Sequence, residues 1–276
     1  MTSAVDETRP RANVLGVEVD VLTIPDAFAR IQKWIRSGSQ NYVCVTGAHG
    51  IIECRKDARL RAIHNAAGMV TADGMPVVWM SRLFGYHRAT RVCGPDLMRA
   101  VSAATAGAPV RHFYYGGSQG LAERLGAVMR KEYPGLQVVG TFCPPFRPLT
   151  PEEDMEVVKA INDAAPDVVW VGLSTPKQEV WMSEHLGRIH APVVLGVGAA
   201  FDFLAGTKKQ APSWMQRSGL EWFYRLATEP RRLWKRYAVI VPSFICLSLA
   251  QIARALVPRI PDVALPWGKR TSKTEI

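Results

Sequence analysis

The fold is decided by one stretch of the chain, DVVWVGLSTPKQEVWMSEHLGRIHAPVVLGV at residues 167–197. It begins and ends with short apolar runs, at 167–173 and 192–197, which are typical of buried strands. Between them, residues 177–187 have the mixed polar and apolar pattern of a helix. A strand, a helix and a second strand in this order predict a crossover connection within a parallel sheet.

The same alternation extends towards the N-terminus. Residues 14–21 alternate weakly, as a strand or hairpin would. Further strands are predicted at 42–46, 69–72, 111–115 and 136–141, and helices at 25–36, 51–66, 75–84, 95–106, around 121–129 and at 151–164. We therefore expect one α/β domain over residues 13–205, with a mainly parallel sheet and helices on both faces. Residues 1–12 are expected to form a disordered leader.

The positive charge of the chain is concentrated at its C-terminal end. The 276 residues include 34 Lys or Arg and 24 Asp or Glu, a formal net charge of +10. Residues 1–205 hold 21 basic and 20 acidic side chains, whereas residues 206–276 hold 13 basic and 4 acidic ones. This distribution argues against a nucleic-acid coat protein that is basic throughout. It predicts a near-neutral body with a cationic appendage that meets an anionic partner.

Composition excludes several other classes of protein. A hydrophobic content of 48% and a charged content of 21% exclude intrinsic disorder. The five cysteines show neither CxxC nor Cys/His spacing, which favours reduced thiols in a cytosolic protein over disulfides or a zinc site. The N-terminal residues lack the apolar segment of a secretory signal. No Asp-x-Asp motif is present, so we expect no divalent metal and no cofactor.

Small and polar residues follow five of the predicted strands, where ligands bind in an open parallel sheet. They occupy segments 46–50, 72–76, 116–120, 174–178 and 198–202. Gly116, Gly117 and Ser118 precede a helix and would let backbone N–H groups approach a phosphate, although tight connections often have the same pattern. Segment 196–201, GVGAAF, lacks the third glycine of a dinucleotide fingerprint, so a nicotinamide site is not expected.

Four side chains in or near these segments have both a functional and a structural interpretation. Asp73 is either a base in a partly buried turn or the cap of the following helix. His49 is either a base or a histidine satisfied by loop backbone. Arg91 pairs either with a phosphate or with Asp96, and Gln178 either holds a sugar hydroxyl or faces solvent.

Residues 206–258 are predicted to form a basic helical appendage, followed by a flexible tail at 259–276. If one helix runs through Arg225, Arg232 and Arg236, these side chains share a face that Arg231 broadens. Tryptophans lie among the charges, which favours an element at a membrane surface.

An uncharged run of 17 residues, 237–253, ends this appendage. It is slightly short for a membrane-spanning helix, and Pro242 interrupts it. Two other interpretations remain open. The run could be a core helix that covers the sheet, or the basic face could bind nucleic acid, although no recognition motif supports that.

Seven motifs together resemble one family. They are YVCVTGAHG, TADGMPVVW, RVCGPDLM, HFYYGGSQGLAERL, PDVVWVGLSTPKQEVWM, GVGAAFDFLAG and APSWMQRSGLEWFYRLATEPRRLWKRY. In this order, over roughly residues 13–240, they resemble the WecG/TagA/CpsF family of bacterial glycosyltransferases. The resemblance implies a Rossmann-like α/β domain with a basic C-terminal appendage.

The resemblance also implies roles for individual residues. Thr46 corresponds to the family's active-site threonine, and Asp73 to its proposed catalytic base. Arg91 and Gln178 match residues of the family's pocket. The arginines that match those thought to contact the lipid diphosphate are Arg225, Arg232 and either Arg231 or Arg236. Where many members have an asparagine two residues after the threonine, this chain has Ala48, followed by His49, which is a candidate to substitute for the missing amide.

The implied activity is transfer of a sugar from a UDP-sugar to a polyprenyl-diphosphate-linked saccharide, inverting and metal-independent. The sugar is an N-acetylhexosamine, its uronic acid or a hexose. The expected location is the cytoplasm, peripherally bound to the inner face of the cell membrane, with no nucleic-acid partner and with a homo-oligomer left open. The predicted catalytic residues are Asp73, Thr46 and His49, and the predicted substrate-binding residues are Arg91, Gln178, Gly116, Gly117, Ser118, Ser174 and Asp202.

Two other functions compete with this one. A UDP-sugar epimerase or dehydrogenase on a related fold would need a complete dinucleotide fingerprint and a Tyr-x-x-x-Lys or similar pair, and the sequence has neither. A non-catalytic membrane-surface protein would not need polar residues after five strands.

Overall fold

The computed structural model describes residues 9–256, and these contain a parallel sheet flanked by helices. The sheet consists of β3 (Asn41–Thr46), β4 (Met69–Ala72), β5 (Arg111–Gly116), β6 (Gln137–Phe142), β7 (Val168–Gly172) and β8 (Val193–Gly196). An antiparallel hairpin, β1 (Arg11–Val14) and β2 (Val17–Asp20), precedes it. The helices of this α/β body are α1 (Ile24–Ser37), α2 (Ala48–Lys56), α3 (Ala58–Ala66), α4 (Met75–Leu83), α5 (Gly94–Thr105), α6 (Leu121–Glu132), α7 (Pro151–Asp163), α8 (Lys177–His185) and α9 (Ala200–Leu204).

The strands of the sheet lie in the order β4-β3-β8-β7-β5-β6, and every neighbouring pair is parallel. The unit predicted from residues 167–197 is present, because β7 and β8 are neighbours joined by α8, with Trp170 opposite Leu195. The expected mainly parallel sheet is thus confirmed.

Helices cover both faces of the sheet, as predicted. One core contains the inner sides of α1, α5, α6 and α9, with Ile31, Leu97 and Leu125 fully buried. The other contains α2, α3, α7 and α8 together with the hairpin. Strand residues that point to the two sides, such as Tyr114 and Tyr115, belong to the two different cores. This two-sided burial explains why the strands are continuous apolar runs rather than alternating ones.

Two helix starts follow their sequence signals closely. Thr23 caps α1 and Thr150 caps α7, and in each case the side chain three residues later completes a capping box. The single helix expected over 51–66 is instead two helices. Asp57 has an extended backbone that ends α2, and its side chain caps the start of α3.

The appendage consists of α10 (Ser213–Arg217), α11 (Glu221–Thr228) and α12 (Pro230–Leu256). The helix breaks at Glu229, so Arg225 lies on α11 and Arg232 and Arg236 lie on α12. The face expected to be shared by all three is wrong, and only Arg232 and Arg236 share one. Pro242 does not interrupt α12, which continues through it for 27 residues.

One side of α12 docks on the α/β body. Ile240, Phe244 and Ser248 are buried at intervals of four residues, and the helix lies against α2. Further along, the Gln251 amide donates to the Asn13 carbonyl and accepts from the Leu15 N–H at 2.8 and 2.9 Å. By length and hydropathy α12 could cross a membrane, although 17% of its most apolar window is buried. The docked side joins the core while the other side stays exposed. Of the alternative in which this run is a core helix over the sheet, the structure shows that one side of α12 is buried, but against α2 rather than the sheet.

The N-terminal boundary differs from the prediction. Residues 1–8 lie outside the described residues, but β1 begins at Arg11, within the expected leader, and Ala12 is fully buried. The Arg9 and Arg11 side chains donate to the Ala67 carbonyl, which ties this segment to the end of α3. The expected tail at 259–276 also lies outside the described residues.

Candidate functional site

A cavity of about 480 Å³ lies between the carboxyl ends of β3 and β4 and the appendage. We call it the Asp73 cavity. Its polar lining comes from both parts of the chain, with His49, Asp73 and Arg91 from the body and Glu221 and Arg225 from α11. The rest of its lining is largely apolar and comes from α4 and α12. The strand ends therefore form one wall of the site, and the appendage forms the other.

Asp73 directly follows β4, and its backbone N–H donates to the Thr46 carbonyl at 3.0 Å, which continues the pairing of β3 with β4. Its carboxylate is half-buried and does not cap α4, whose cap residue is Gly74 without a side-chain bond. Burial raises the pKa of the Asp73 carboxyl above its usual range, and the cations Arg91 and Arg225 partly offset that shift. A partly desolvated carboxylate of raised pKa is suited to accept a proton.

Arg91 joins the strand end to the appendage. Its Nε donates to the Asp73 carbonyl at 2.7 Å, its Nη1 to Gln216 Oε1 at 2.9 Å and its Nη2 to Glu221 Oε2 at 2.6 Å. Asp96, the alternative partner considered from sequence, lies 3.7 Å from Nη1. All three bonds of the Arg91 side chain are thus to protein groups. Arg91 also lines a second, polar cavity of about 550 Å³ beside the Asp73 cavity.

Glu221 was missed by sequence reasoning. It lines the cavity, its pKa is raised by burial and then by the Asp73 carboxylate, and its partner is Arg91. One signal was available, since it is one of four acidic residues in the strongly basic segment 206–276. An acid retained among so many cations indicates a specific partner rather than a solvated surface.

His49 lies in the first turn of α2 and faces the cavity. Burial lowers the pKa of His49 to about 4, and the nearby Arg236 cation lowers it further. The imidazole is therefore neutral at pH 7, when it can accept or donate one hydrogen bond at each ring nitrogen. Arg225 also acts on it, and the Nε of Arg225 is buried without a hydrogen-bond partner among the described residues.

Thr46 is the last residue of β3. Gln178, in the first turn of α8, lies against Gly196 of the neighbouring strand β8. Both are nearly fully buried, so the solvent-facing alternative for Gln178 is wrong. Within residues 9–256, Thr46 Oγ1 and Gln178 Oε1 have no hydrogen-bond partner. The Gln178 amide donates to buried Glu179 at 3.0 Å, which fixes its oxygen towards Gly198. Unpaired buried polar atoms are costly, so their position at a strand end favours a ligand site.

The strand order places the other predicted substrate-binding residues in one row. From Asp73 the row passes Thr46, then Gln178, then Ser174 after β7, and reaches Gly116 at the end of β5. Three strands separate β4 from β5, which at about 4.8 Å per strand puts the two ends of the row roughly 19 Å apart. Gly116, Gly117 and Ser118 are thus not part of the Asp73 cavity lining.

Asp202 and Arg232 belong to a separate polar link between the body and the appendage. Lys208 bridges Asp202 and Glu229 at 3.5 Å to each, and Arg232 also pairs with Glu229 at 2.6 Å. Arg231 is exposed. Of the four predicted appendage arginines, Arg225 lines the Asp73 cavity, and Arg236 acts on His49 electrostatically.

No group of three or more His, Cys, Asp or Glu side chains suited to a metal ion occurs in the part of the chain that the structure describes. The cationic groups at the cavity are arginines.

Comparisons with known proteins identify the family of this chain. The model of the WecG/TagA/CpsF glycosyl transferase family matches residues 12–257. A Bacillus subtilis protein is 32% identical over 66% of this chain and 68% of its own, and a Bacillus spizizenii protein is 29% identical over 70% and 72%. A Staphylococcus aureus protein is 28% identical over 85% of this chain and 91% of its own. All three are named N-acetylglucosaminyldiphosphoundecaprenol N-acetyl-beta-D-mannosaminyltransferase.

The family match extends from the first strand of the hairpin to the end of α12, so it includes both walls of the Asp73 cavity. The chain belongs to the WecG/TagA/CpsF family, and it is a glycosyltransferase with a Rossmann-like α/β body.

Proposed function

We propose that this chain transfers an N-acetylhexosamine from a UDP-sugar to a saccharide carried on a polyprenyl diphosphate. The relatives' names support this acceptor class and favour N-acetylmannosamine as the sugar. The proposal narrows the three sugar classes expected from the sequence to one.

The observation that carries the proposal is the two-part lining of the Asp73 cavity. One end holds a carboxylate of raised pKa among arginines, and the other end is apolar and open. A lipid-linked sugar has the same division, with a hydroxyl and a diphosphate at one end and a hydrocarbon chain at the other. A soluble sugar acceptor would not need the apolar end.

In the proposed reaction the Asp73 carboxylate takes the proton from an acceptor hydroxyl. The hydroxyl oxygen then forms a bond to the anomeric carbon of the donor sugar while the bond from that carbon to UDP breaks. UDP leaves with the electron pair on the opposite face, which inverts the anomeric centre. The raised pKa of Asp73 makes it a stronger base than an exposed aspartate.

The donor is proposed to lie along the row of strand ends. Its sugar lies near Asp73 and Thr46, and its nucleotide extends towards the glycine turn of Gly116 and Gly117. Positive φ angles at both glycines turn the backbone sharply there. Preorganised cations such as Arg225 stabilise charge that develops during transfer, a role a metal ion fills in other transferases.

The exposed side of the appendage is proposed to lie on the inner face of the membrane. Its exposed apolar side chains include Trp234 and Val239, with Arg231 and Lys235 beside them. Basic residues near an anionic surface contribute about 1 kcal/mol each. Since the other side of α12 docks on the body, the helix is proposed to lie along the surface rather than to cross it.

A direct test uses purified protein, a panel of UDP-sugars and a synthetic polyprenyl-diphosphate N-acetylglucosamine. UDP release and product mass are measured, with and without a metal chelator. The proposal predicts a product heavier by one N-acetylhexosamine, formed equally in both conditions. No transfer to the lipid acceptor from any donor would reject it, and loss of transfer on chelation would reject the metal-independent step.

A further inference from the structure

Two helices, α4 and α12, wall the apolar end of the Asp73 cavity. On α4 the lining residues lie at 75–76, 79–80 and 83, one helical turn apart. At about 1.5 Å per residue, this face extends roughly 12 Å away from Asp73.

On α12 the lining residues are Tyr237, Ile240, Val241, Phe244, Ile245, Ser248 and Leu249. Their spacing is again one turn, and they extend over roughly 18 Å. The two faces oppose each other across the cavity, so together they form a groove that runs outward from the polar site. We call it the α4–α12 groove.

The groove is apolar along its walls and open at its outer end. Leu83 is 67% exposed, Ile245 51% and Leu249 61%, although all three are large hydrophobic side chains. The inner part is held in place, because the Trp79 ring lies against Gly219. A Cβ atom at Gly219 would come within 2.6 Å of that ring. Exposed hydrophobic residues gathered around one opening are a feature of binding sites for apolar ligands.

We infer that the α4–α12 groove seats the isoprenoid chain of the lipid acceptor, an inference that rests on the proposed function. The isoprenoid chain enters between Leu83 and Leu249, and the diphosphate of the lipid reaches the arginine-lined end of the cavity. Charge complementarity supports this occupant, since Arg225 and Arg236 lie where the diphosphate would end and no charged residue lines α4 or α12 beyond that point.

The inference gives the catalytic body a part in lipid recognition. Leu83 and Trp79 belong to α4, which follows directly after Asp73 and lies more than 100 residues before the basic appendage. Both residues are uncharged, so the charge distribution that marks the appendage in the sequence does not indicate them.

The test measures binding in solution, without a bilayer, by calorimetry. Two sugar diphosphates are compared, one with three isoprene units and one with a single unit. The double variant Leu83→Ser/Ile245→Ser replaces one apolar side chain in each wall of the groove with a polar one. The control Val239→Ser changes a residue of α12 that is also 51% exposed but does not line the cavity.

The double variant should bind the three-unit ligand about tenfold more weakly and the one-unit ligand normally, because the lost contacts are apolar ones far from the diphosphate. Val239→Ser should bind both as the wild type does. Equal weakening for both ligands, or none for the longer one, would overturn the inference.

Because the readout is binding, it is separable from the proposed function. Wild-type protein that preferred the longer ligand but transferred no sugar would reject the proposed reaction and retain the groove.

Discussion

Arg91 offers the sharpest test of how the body and the appendage build the site together. Its side chain is only 13% exposed and makes three hydrogen bonds, to the Asp73 carbonyl, Gln216 and Glu221. Replacement by glutamine removes the positive charge and leaves the Glu221 carboxylate without its partner at 2.6 Å. Breaking a buried ion pair in this way costs about 3 kcal/mol of unfolding free energy, and somewhat less here because Glu221 is 23% exposed.

The same substitution should change the pH dependence of transfer. Arg91 lowers the pKa of Asp73 against the raising effect of burial. An opposite charge at close range favours the ionised carboxylate, so Arg91→Gln should raise the pKa of Asp73 further above its usual range. The loss of activity on the acid side of the pH profile would then occur at a higher pH than in the wild type, because a protonated Asp73 cannot accept a proton.

The assay is kcat/KM for sugar transfer between pH 5 and 9, together with urea unfolding at pH 7. Arg91→Lys keeps the charge and should hold the acid limb near that of the wild type, while losing part of the stability. Arg99→Gln, a more exposed arginine that pairs with Asp96, controls for loss of a nearby charge. An acid limb in Arg91→Gln that coincides with the wild-type limb would refute the electrostatic role assigned to Arg91.

Two further predictions concern stability. The folded-state pKa of His49 and of His112 is lowered to about 4, mainly by burial, so the unfolded chain binds more protons below pH 6.5 and stability is lost as the pH falls. When the pH falls from 7 to 5.5, each histidine should lower the free energy of unfolding by about 1 kcal/mol, which urea unfolding can measure. His49→Asn should reduce this pH-dependent loss by about half. An unchanged pH dependence in His49→Asn would contradict the assignment. At the glycine turn, Gly116→Ala should lower the unfolding free energy by several kcal/mol, since its Cβ would come within 2.8 Å of Gly172 backbone. Gly120 also has a positive φ, but a Cβ atom there would meet nothing within 4 Å, so Gly120→Ala should cost about 1 kcal/mol. Equal costs in thermal unfolding would show that the close approach is unimportant.

The sequence predicted the central strands well because each is a continuous apolar run buried on both sides. β3 and β7 illustrate this, since almost every side chain in them is buried. Helix starts were equally accessible where a capping side chain is local, as at Thr150.

Strand order could not be predicted, because it depends on which strands pair across long loops. This order decides that Asp73 and Gly116 lie at opposite ends of a row rather than in one pocket. The contacts of Arg91 with Gln216 and Glu221 join residues more than 120 positions apart, so no local pattern indicates them.

The interruption expected at Pro242 was wrong for a similar reason. A proline removes one backbone hydrogen bond and disfavours a helix locally. Here Ile240 and Phe244 dock on the body on either side of it, and that packing holds the helix together.

The central claim is that Asp73 acts as the base in a sugar transfer, and Asp73→Asn tests it most directly. Turnover of UDP-N-acetylhexosamine with the lipid-linked acceptor and the affinity for UDP are measured on the same preparation, with Asp96→Asn as the control carboxylate. We predict that turnover falls about 100-fold or more, as loss of a general base does, while UDP affinity stays within about twofold. Near-normal turnover in Asp73→Asn would contradict the claim.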